Sequence, residues 1–190
     1  MAAIVKVSSP RAVASAVKVL KRGGLIAIPT ETCYGLGADA TNPKAVAAVF
    51  KVKRRVATRK MSVMVADKAM ANRFFGRSRR VDALIDAFLP GPLTIVTKGR
   101  SFRIPDYAWC RRLIKKLGRP ITSTSSNVSG GSNHYSIKPI LRELKGVDLI
   151  IDGGCLPKRL PSTVYDVDHD KVLRKGPLSE KEIRLIVANL

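Results

Sequence analysis

The stretch Leu25–Gly37 constrains the fold of this chain more than any other segment. It begins with the apolar run Leu25–Ile28, which is typical of a strand that is buried on both faces. Pro29 then ends the strand, because proline has no N–H to donate to a ladder. The polar segment Thr30–Tyr34 follows, and glycines close it. Small hydroxyls and a carboxylate at the end of a core strand indicate either a small-molecule site or an ordinary strand-to-helix loop.

Segments with strand and helix patterns alternate along the rest of the chain. Helix starts are predicted at the capping residues Ser9, Asn42, Asp67, Ser78, Asp106 and Ser179, the last with Glu182 at capping-box spacing. Strands are predicted at Met61–Val65, Leu93–Val96, Arg100–Ile104, Pro120–Thr122 and Val147–Ile151, and a hairpin at Thr163–Val167 and Lys171–Leu173. Such alternation predicts an α/β fold with a mixed sheet. We find no internal repeat or linker, so we expect a single domain over residues 1–190.

Composition excludes several classes of protein. The chain has no run of about 18 apolar residues and no signal-peptide pattern, so we expect a cytoplasmic protein without a membrane span. Its cysteines, at positions 33, 110 and 155, are far apart. Together with His134 and His169 they do not form a zinc-binding set, so we predict no resident metal site.

Charge is the unusual feature of the composition. Lysine and arginine number 35 against 14 aspartate and glutamate residues, which gives a net charge of +21. A field of this size favours polyanions such as nucleotides and nucleic acids. The alternative is a solvated basic surface with no specific partner.

Four polar clusters follow predicted strands or helices. They are Thr30–Gly35, the basic group Lys53, Arg55, Arg59 and Lys60, the loop Ser123–Gly131, and Pro161–Thr163 with Arg174–Gly176. Hydroxyls, an amide and fixed cations suit a carboxylate or a phosphate group. The chain contains no P-loop, no GxGxxG motif and no Ser/His/Asp or Cys/His set of convincing spacing. We therefore predict chemistry that depends on positioning and electrostatics rather than on a covalent nucleophile.

Read together, the motifs resemble those of a known family. They are IPTETCYGLGAD at 28–39, Lys53-Arg54-Arg55, PGPLT at 90–94, FRIPD at 102–106, TSSNVSG at 124–130, PSTVYD at 161–166 and LRKG at 173–176. In this order they resemble the YrdC-like family of threonylcarbamoyl-AMP synthases. The chain departs from the family pattern at Val56, Lys60-Met61 and Leu89, and its connection from Thr94 to Arg103 is shorter.

The resemblance implies a twisted mixed sheet with flanking helices around a basic concave cavity. It implies that L-threonine, bicarbonate and ATP react to threonylcarbamoyl-adenylate and pyrophosphate, with Mg²⁺ bound to ATP. A separate transferase complex would use the adenylate to modify tRNA, and contact with tRNA or double-stranded RNA is a further expectation.

The resemblance also implies roles for individual residues. Those expected to bind threonine are Thr32, Arg103, Ser125 and Ser162. Those expected to bind ATP are Lys53, Arg55, Arg59, Asn127, Tyr135 and Arg174. Lys53 and Arg55 are the expected catalytic residues, because they would neutralise charge on the α-phosphate and the leaving group.

Two other functions fit parts of the pattern. One is a non-catalytic RNA-binding module with the same fold, which would need the charge but not the polar residues Thr32, Ser125 and Asn127. Because all three are present, the enzyme is favoured. The other is a carbamoyl-transfer domain of the hydrogenase-maturation type, which is disfavoured because such domains work inside much longer chains.

Overall fold

The structure is a computed structural model that describes residues 2–56 and 61–188. The strands are β1 (Ala3–Lys6), β2 (Ile26–Pro29), β3 (Tyr34–Gly37), β4 (Ser62–Met64), β5 (Leu93–Thr97), β6 (Arg100–Arg103), β7 (Ile121–Ser125), β8 (Leu149–Asp152), β9 (Thr163–Asp166) and β10 (Lys171–Arg174). The helices are α1 (Ala12–Lys21), α2 (Pro43–Val52), α3 (Lys68–Phe75), α4 (Arg79–Phe88), α5 (Ala108–Leu117), α6 (Ile137–Glu143) and α7 (Glu180–Ala188).

All ten described strands form one mixed sheet in the order β1-β8-β2-β3-β7-β4-β6-β5-β9-β10. Strands β1, β8 and β2 are parallel at one end, and β3 and β7 continue the sheet by antiparallel pairing. Strand β4 pairs antiparallel with β7 and parallel with β6, and β5, β9 and β10 complete the other end. The sequence-based prediction of an α/β fold with a mixed sheet is therefore confirmed.

Two hydrophobic clusters pack on this sheet. Helices α1, α3, α4, α5 and α7 contribute to the larger cluster, and α2 and α6 to the smaller one. The buried strand β2 serves both clusters, because Ile26 and Ile28 belong to the larger and Ala27 to the smaller. This confirms the prediction, made from the apolar run, of a strand buried on both faces.

The polar segment after this strand is shorter than predicted. Tyr34–Gly37 is not loop but strand β3, and its first residue pairs with Pro29. The turn between the two strands is tight because the Thr30 hydroxyl donates to the Cys33 carbonyl at 2.6 Å. Similarly, β7 continues to Ser125, so the polar loop predicted from Ser123 begins three residues later, at Ser126.

Three of the predicted helix starts, at Asn42, Asp67 and Ser78, are the observed N-cap positions, and at the first two the side chain binds the backbone. The Asn42 side chain accepts from two N–H groups of α2, and the Asp67 carboxylate accepts from Met70 N–H at 2.8 Å in α3. The predicted caps of α1 and α5 are wrong by one or two residues, since these N-cap positions are Arg11 and Tyr107. Strand β1 was not predicted.

The short connection between β5 and β6 is a tight hairpin. Thr97 pairs with Arg100, and only Lys98 and Gly99 lie between them. Both have positive φ, 50° and 67°, as a two-residue hairpin turn requires. Within the described ranges, no helix combines the length and apolarity needed to cross a membrane.

Candidate functional site

One cavity collects most of the polar residues that the sequence singled out. Its volume is about 380 Å³. Strands β3 to β7, β9 and β10 form its walls, together with the turn after β2 and the segments after α2, after β7 and before β9. The lining residues are Thr30, Thr32, Cys33, Gly35, Arg55, Ser62, Met64, Thr94, Arg103, Ser123, Thr124, Ser125, Asn133, Pro161, Ser162, Val164 and Arg174.

The β2–β3 turn places Thr32 against this cavity. The Thr30 and Thr32 hydroxyls lie 3.1 Å apart, and the Thr30 hydroxyl also accepts from the backbone N–H groups of Thr32 and Cys33. These bonds fix the turn and leave Thr32 in the wall. Burial raises the pKa of the adjacent Cys33 thiol, so at neutral pH this thiol is protonated.

A second group of polar side chains comes from β5, β10 and the segment before β9. The Thr94 and Ser162 hydroxyls are hydrogen-bonded at 2.7 Å. The Arg174 guanidinium donates to the Ser162 carbonyl at 2.8 and 3.1 Å and to its hydroxyl at 3.2 Å. Three elements thus meet at Ser162, and the cation lies directly beside the hydroxyl.

Arg103 is the most buried cation of the cavity wall. Its guanidinium contacts the Glu31 carboxylate, and the two side chains are 8% and 10% exposed. Burial lowers the pKa of Arg103 to about 10. It remains protonated at neutral pH, so the buried pair combines a cation of the wall with an acid from the β2–β3 turn.

Lys53 and Asn127 lie behind the wall rather than in it. The Lys53 ammonium donates to the Asn127 carbonyl at 2.6 Å and to the Ser125 carbonyl, and the residue is 3% exposed. The Asn127 amide donates to the Val128 and Gly131 carbonyls at 3.0 and 2.5 Å. Both side chains therefore hold the loop that follows β7. Burial, with a smaller repulsion from Arg55, lowers the pKa of Lys53 to about 8.

The structure brings together six of the ten residues that the sequence assigned to the site. These are Thr32, Arg55, Arg103, Ser125, Ser162 and Arg174. Lys53, Asn127 and Tyr135 are not among the lining residues, and the backbone carbonyl of Tyr135 accepts from Leu156 N–H at 2.7 Å. Arg59 lies outside the described residues.

Other lining residues were not assigned from the sequence. Thr94 and Ser62 lie in strands, and Asn133 follows the β7 loop. Ser62 carried a signal, since it is the only polar residue in the predicted strand Met61–Val65. Asn133 carried none, because its position depends on how the loop folds back.

The chemistry of the described wall is uniform. Three arginines and eight serine or threonine residues line it, and no described lining residue is an aspartate or glutamate. No group of three or more His, Cys, Asp or Glu side chains that could hold a metal occurs within residues 2–56 and 61–188. A wall of this kind suits carboxylate and phosphate ligands.

Comparison with known proteins agrees with this geometry. A family model named Sua5_yciO_yrdC, described as "Telomere recombination", matches residues 18–176. A protein of Methanocaldococcus jannaschii is 34% identical over 170 residues, which cover 82% of this chain and 80% of the relative. The threonylcarbamoyl-AMP synthase of Bos taurus is 32% identical over 176 residues, which cover 82% of this chain and 63% of the relative. This chain therefore spans less than two thirds of the length of the bovine enzyme.

Two solved structures have the same fold. P. abyssi Sua5 complexed with L-threonine superposes with a TM-score of 0.85 at 28% identity, over 100% of this chain and 62% of that one. E. coli YciO superposes with a TM-score of 0.83 at 26% identity, over 96% of this chain and 100% of that one.

Proposed function

Because this chain belongs to the Sua5–YciO–YrdC family, we propose that it is a threonylcarbamoyl-AMP synthase. In the proposed reaction the threonine amine and bicarbonate form a carbamate and release water. A carbamate oxygen then attacks the α-phosphorus of ATP, and the bond to pyrophosphate breaks. The products are threonylcarbamoyl-adenylate and pyrophosphate, which makes the protein a nucleotidyltransferase.

The observation that carries this proposal is the arginine and hydroxyl wall of the cavity. N-carboxy-threonine has two anionic groups and one hydroxyl, and ATP adds a triphosphate. Arg55, Arg103 and Arg174 supply cations along one wall, and no described lining residue is acidic. Charge that develops on the α-phosphate and the leaving group is stabilised best by cations that are already in place.

The threonine subsite in this proposal combines Thr32, Ser125, Ser162 and Arg103. The three hydroxyls orient the amino acid, and the guanidinium pairs with a carboxylate. The Glu31 carboxylate contacts the Arg103 guanidinium, so the cation has a fixed position before substrate binds. The crystal structure of P. abyssi Sua5 is a complex with L-threonine, and this supports an amino-acid subsite in this fold.

The nucleotide subsite combines Arg55 and Arg174 from the wall with Arg59, Asn127 and Tyr135. Lys53 contributes in a different way from the one that the sequence suggested. Its ammonium binds the carbonyls of Ser125 and Asn127 and so joins the end of β7 to the loop that follows it. In this proposal Mg²⁺ enters with ATP as part of the substrate, and the adenylate passes to a separate transferase complex.

The test is pyrophosphate release by the purified protein with ATP, bicarbonate and labelled threonine. We expect release only when all three are present, together with a labelled adenylate. Valine in place of threonine should reduce the rate by about 10⁴-fold, since it would leave polar groups of the subsite unpaired. Release that is independent of threonine contradicts the proposal, and retention of RNA without any release favours the binding module.

A matched pair of variants links activity to the cavity. Arg174→Gln removes the guanidinium that binds Ser162, and we expect it to abolish most of the activity. Lys171→Gln removes the same charge from the exposed start of β10 and serves as the control. Equal activity of the two variants would separate Arg174 from the reaction.

A further inference from the structure

A second cavity lies outside the proposed active site. Its volume is about 490 Å³, within the range of small-molecule sites. Apolar side chains form much of its surface, and two cations and two hydroxyls complete it. The lining residues are Ala40, Thr41, Met61, Val63, Phe74, Phe75, Lys98, Gly99, Arg100, Ser101 and Pro120.

The strand β4 separates the two cavities. Ser62 and Met64 line the first cavity, whereas Met61 and Val63 line the second. This division follows from the alternation of side chains along a strand. The Ser62 hydroxyl is hydrogen-bonded at 2.7 Å to that of Ser101, which lines the second cavity. The cavities are therefore adjacent but have no lining residue in common.

The charged groups of Lys98 and Arg100 form none of the ion pairs among the described residues. The Arg100 guanidinium lies over the Phe75 ring at 4.5 Å and donates to the Phe74 carbonyl. Lys98 is in the tight β5–β6 turn, where Asp168 accepts from its backbone N–H at 2.5 Å. Among the described residues, no aspartate or glutamate lines this cavity, and no ion pair involves Lys98 or Arg100.

We propose that this second cavity is a binding site for an amphipathic anion. A flat apolar group would pack against Val63, Phe74 and Met61, and a carboxylate or phosphate would bind Arg100 and Lys98. The pairing of an apolar surface with two cations selects this class, because a neutral apolar ligand would leave the cations unpaired. The inference does not depend on the proposed reaction in the first cavity.

The experiment is a fluorescence titration of the full chain with 8-anilinonaphthalene-1-sulfonate, an aromatic anion. Arg100→Gln and Lys98→Gln should each raise its Kd by about tenfold, since each removes a charged contact. Ala40→Phe should abolish binding by filling the cavity, because it leaves the backbone bond from Ala40 N–H to the Pro120 carbonyl intact. Arg112→Gln, an exposed cation of α5, is the control with the same change of charge. Circular dichroism establishes that each variant is folded.

Competition distinguishes the sources of such a ligand and the two cavities. Displacement of the dye by AMP identifies nucleotides as the natural class, and displacement by indole-3-acetate identifies free aromatic carboxylates. Displacement by neither contradicts the proposed class. Saturating threonine and the substitution Arg174→Gln should leave dye binding unchanged, and loss of binding in either case would assign the dye to the first cavity. Binding that survives all three substitutions in the second cavity would also overturn the proposal.

Discussion

Single side chains at the first cavity have two kinds of role. Some face the ligand space, as Arg55 and Ser162 do, and others hold the facing residues, as Lys53 and Glu31 do. All four are polar residues of the motifs that resemble the family, so residue type does not distinguish the two roles. Their positions in the structure do. Substitutions should therefore have different consequences for binding and for stability.

Arg55 is predicted to act on ATP and not on the fold. Arg55→Ala should raise the KM for ATP and slow turnover, because a cation near the phosphates is lost. The free energy of unfolding should change little. Lys51→Ala, which removes an exposed cation in the last turn of α2, four residues before Arg55, is the control. Steady-state kinetics at limiting ATP measures the effect, and equal rates for Arg55→Ala and the parent protein would exclude Arg55 from the nucleotide subsite.

Lys53 is predicted to affect stability in a pH-dependent way. Lys53→Met leaves the carbonyls of Ser125 and Asn127 without this donor. We expect the free energy of unfolding to fall by about 1–3 kcal/mol near neutral pH. The native amine loses its proton near pH 8, because burial lowers its pKa to about 8. The unfolded chain keeps that proton up to an ordinary lysine pKa of about 10.4.

Between these two pH values the unfolded state binds more protons, so the native protein gains stability as the pH rises. The difference in free energy of unfolding between the parent and Lys53→Met should therefore grow from pH 8 to pH 10. Urea unfolding at a series of pH values tests this. A difference that stays constant over this range would show that the amine does not titrate there.

At the level of elements, α2 connects the core to the cavity. Its buried Ala45 and Val49 pack in the smaller hydrophobic cluster, and its end leads directly to Lys53 and Arg55. The start of the helix is fixed by Asn42, whose side chain accepts from Lys44 and Ala45 N–H groups at 3.0 and 3.3 Å. The position of the two cations thus depends on a cap that lies eleven residues before Lys53 and thirteen before Arg55.

Asn42→Ala is predicted to destabilise the protein by about 1 kcal/mol, because two N–H groups of α2 lose their acceptor. Ser78 occupies the same position in α4 but makes no side-chain bond to that helix, so Ser78→Ala is the matched control and should cost less. Urea unfolding compares the two variants. A cost for Ser78→Ala equal to that of Asn42→Ala would contradict the capping assignment.

At the level of the whole molecule, charge is distributed far beyond the cavity. The net charge is +21, whereas only three described cations line the first cavity. Arg79 and Arg80 on α4 and Lys115 and Lys116 on α5 are all exposed. They lie on helices that pack in the larger cluster and contribute none of the lining residues. This surplus is the physical basis for an expected contact with RNA.

Changing Arg79, Arg80, Lys115 and Lys116 to Glu should abolish tRNA retention but leave pyrophosphate release at saturating ATP unchanged. In the parent protein, the logarithm of the tRNA association constant should fall by roughly 0.7–0.9 per log unit of salt concentration for each phosphate that the protein neutralises. Filter binding over a range of salt measures both quantities. Loss of RNA binding and of activity together would mean that one surface serves both, and loss of neither would identify the charge as a solvated coat.

Local patterns determined much of this protein. The apolar run before Pro29, the caps Asn42 and Asp67, and the capping box at Ser179 predicted elements correctly, because their signals come from neighbouring residues. The order of the motifs predicted the family, and the composition of the polar clusters predicted a wall of hydroxyls and cations.

Only the tertiary structure decided which polar residues face the ligand space. Lys53 and Arg55 are two residues apart in one motif, yet one binds the backbone of the β7 loop and the other lines the cavity. The contact of Glu31 with Arg103 joins residues that are distant in sequence. The two cavities that β4 separates are likewise lined by elements that are distant in sequence. Such contacts depend on which strands become neighbours in the sheet, and that arrangement is set by packing of the whole chain rather than by any local pattern.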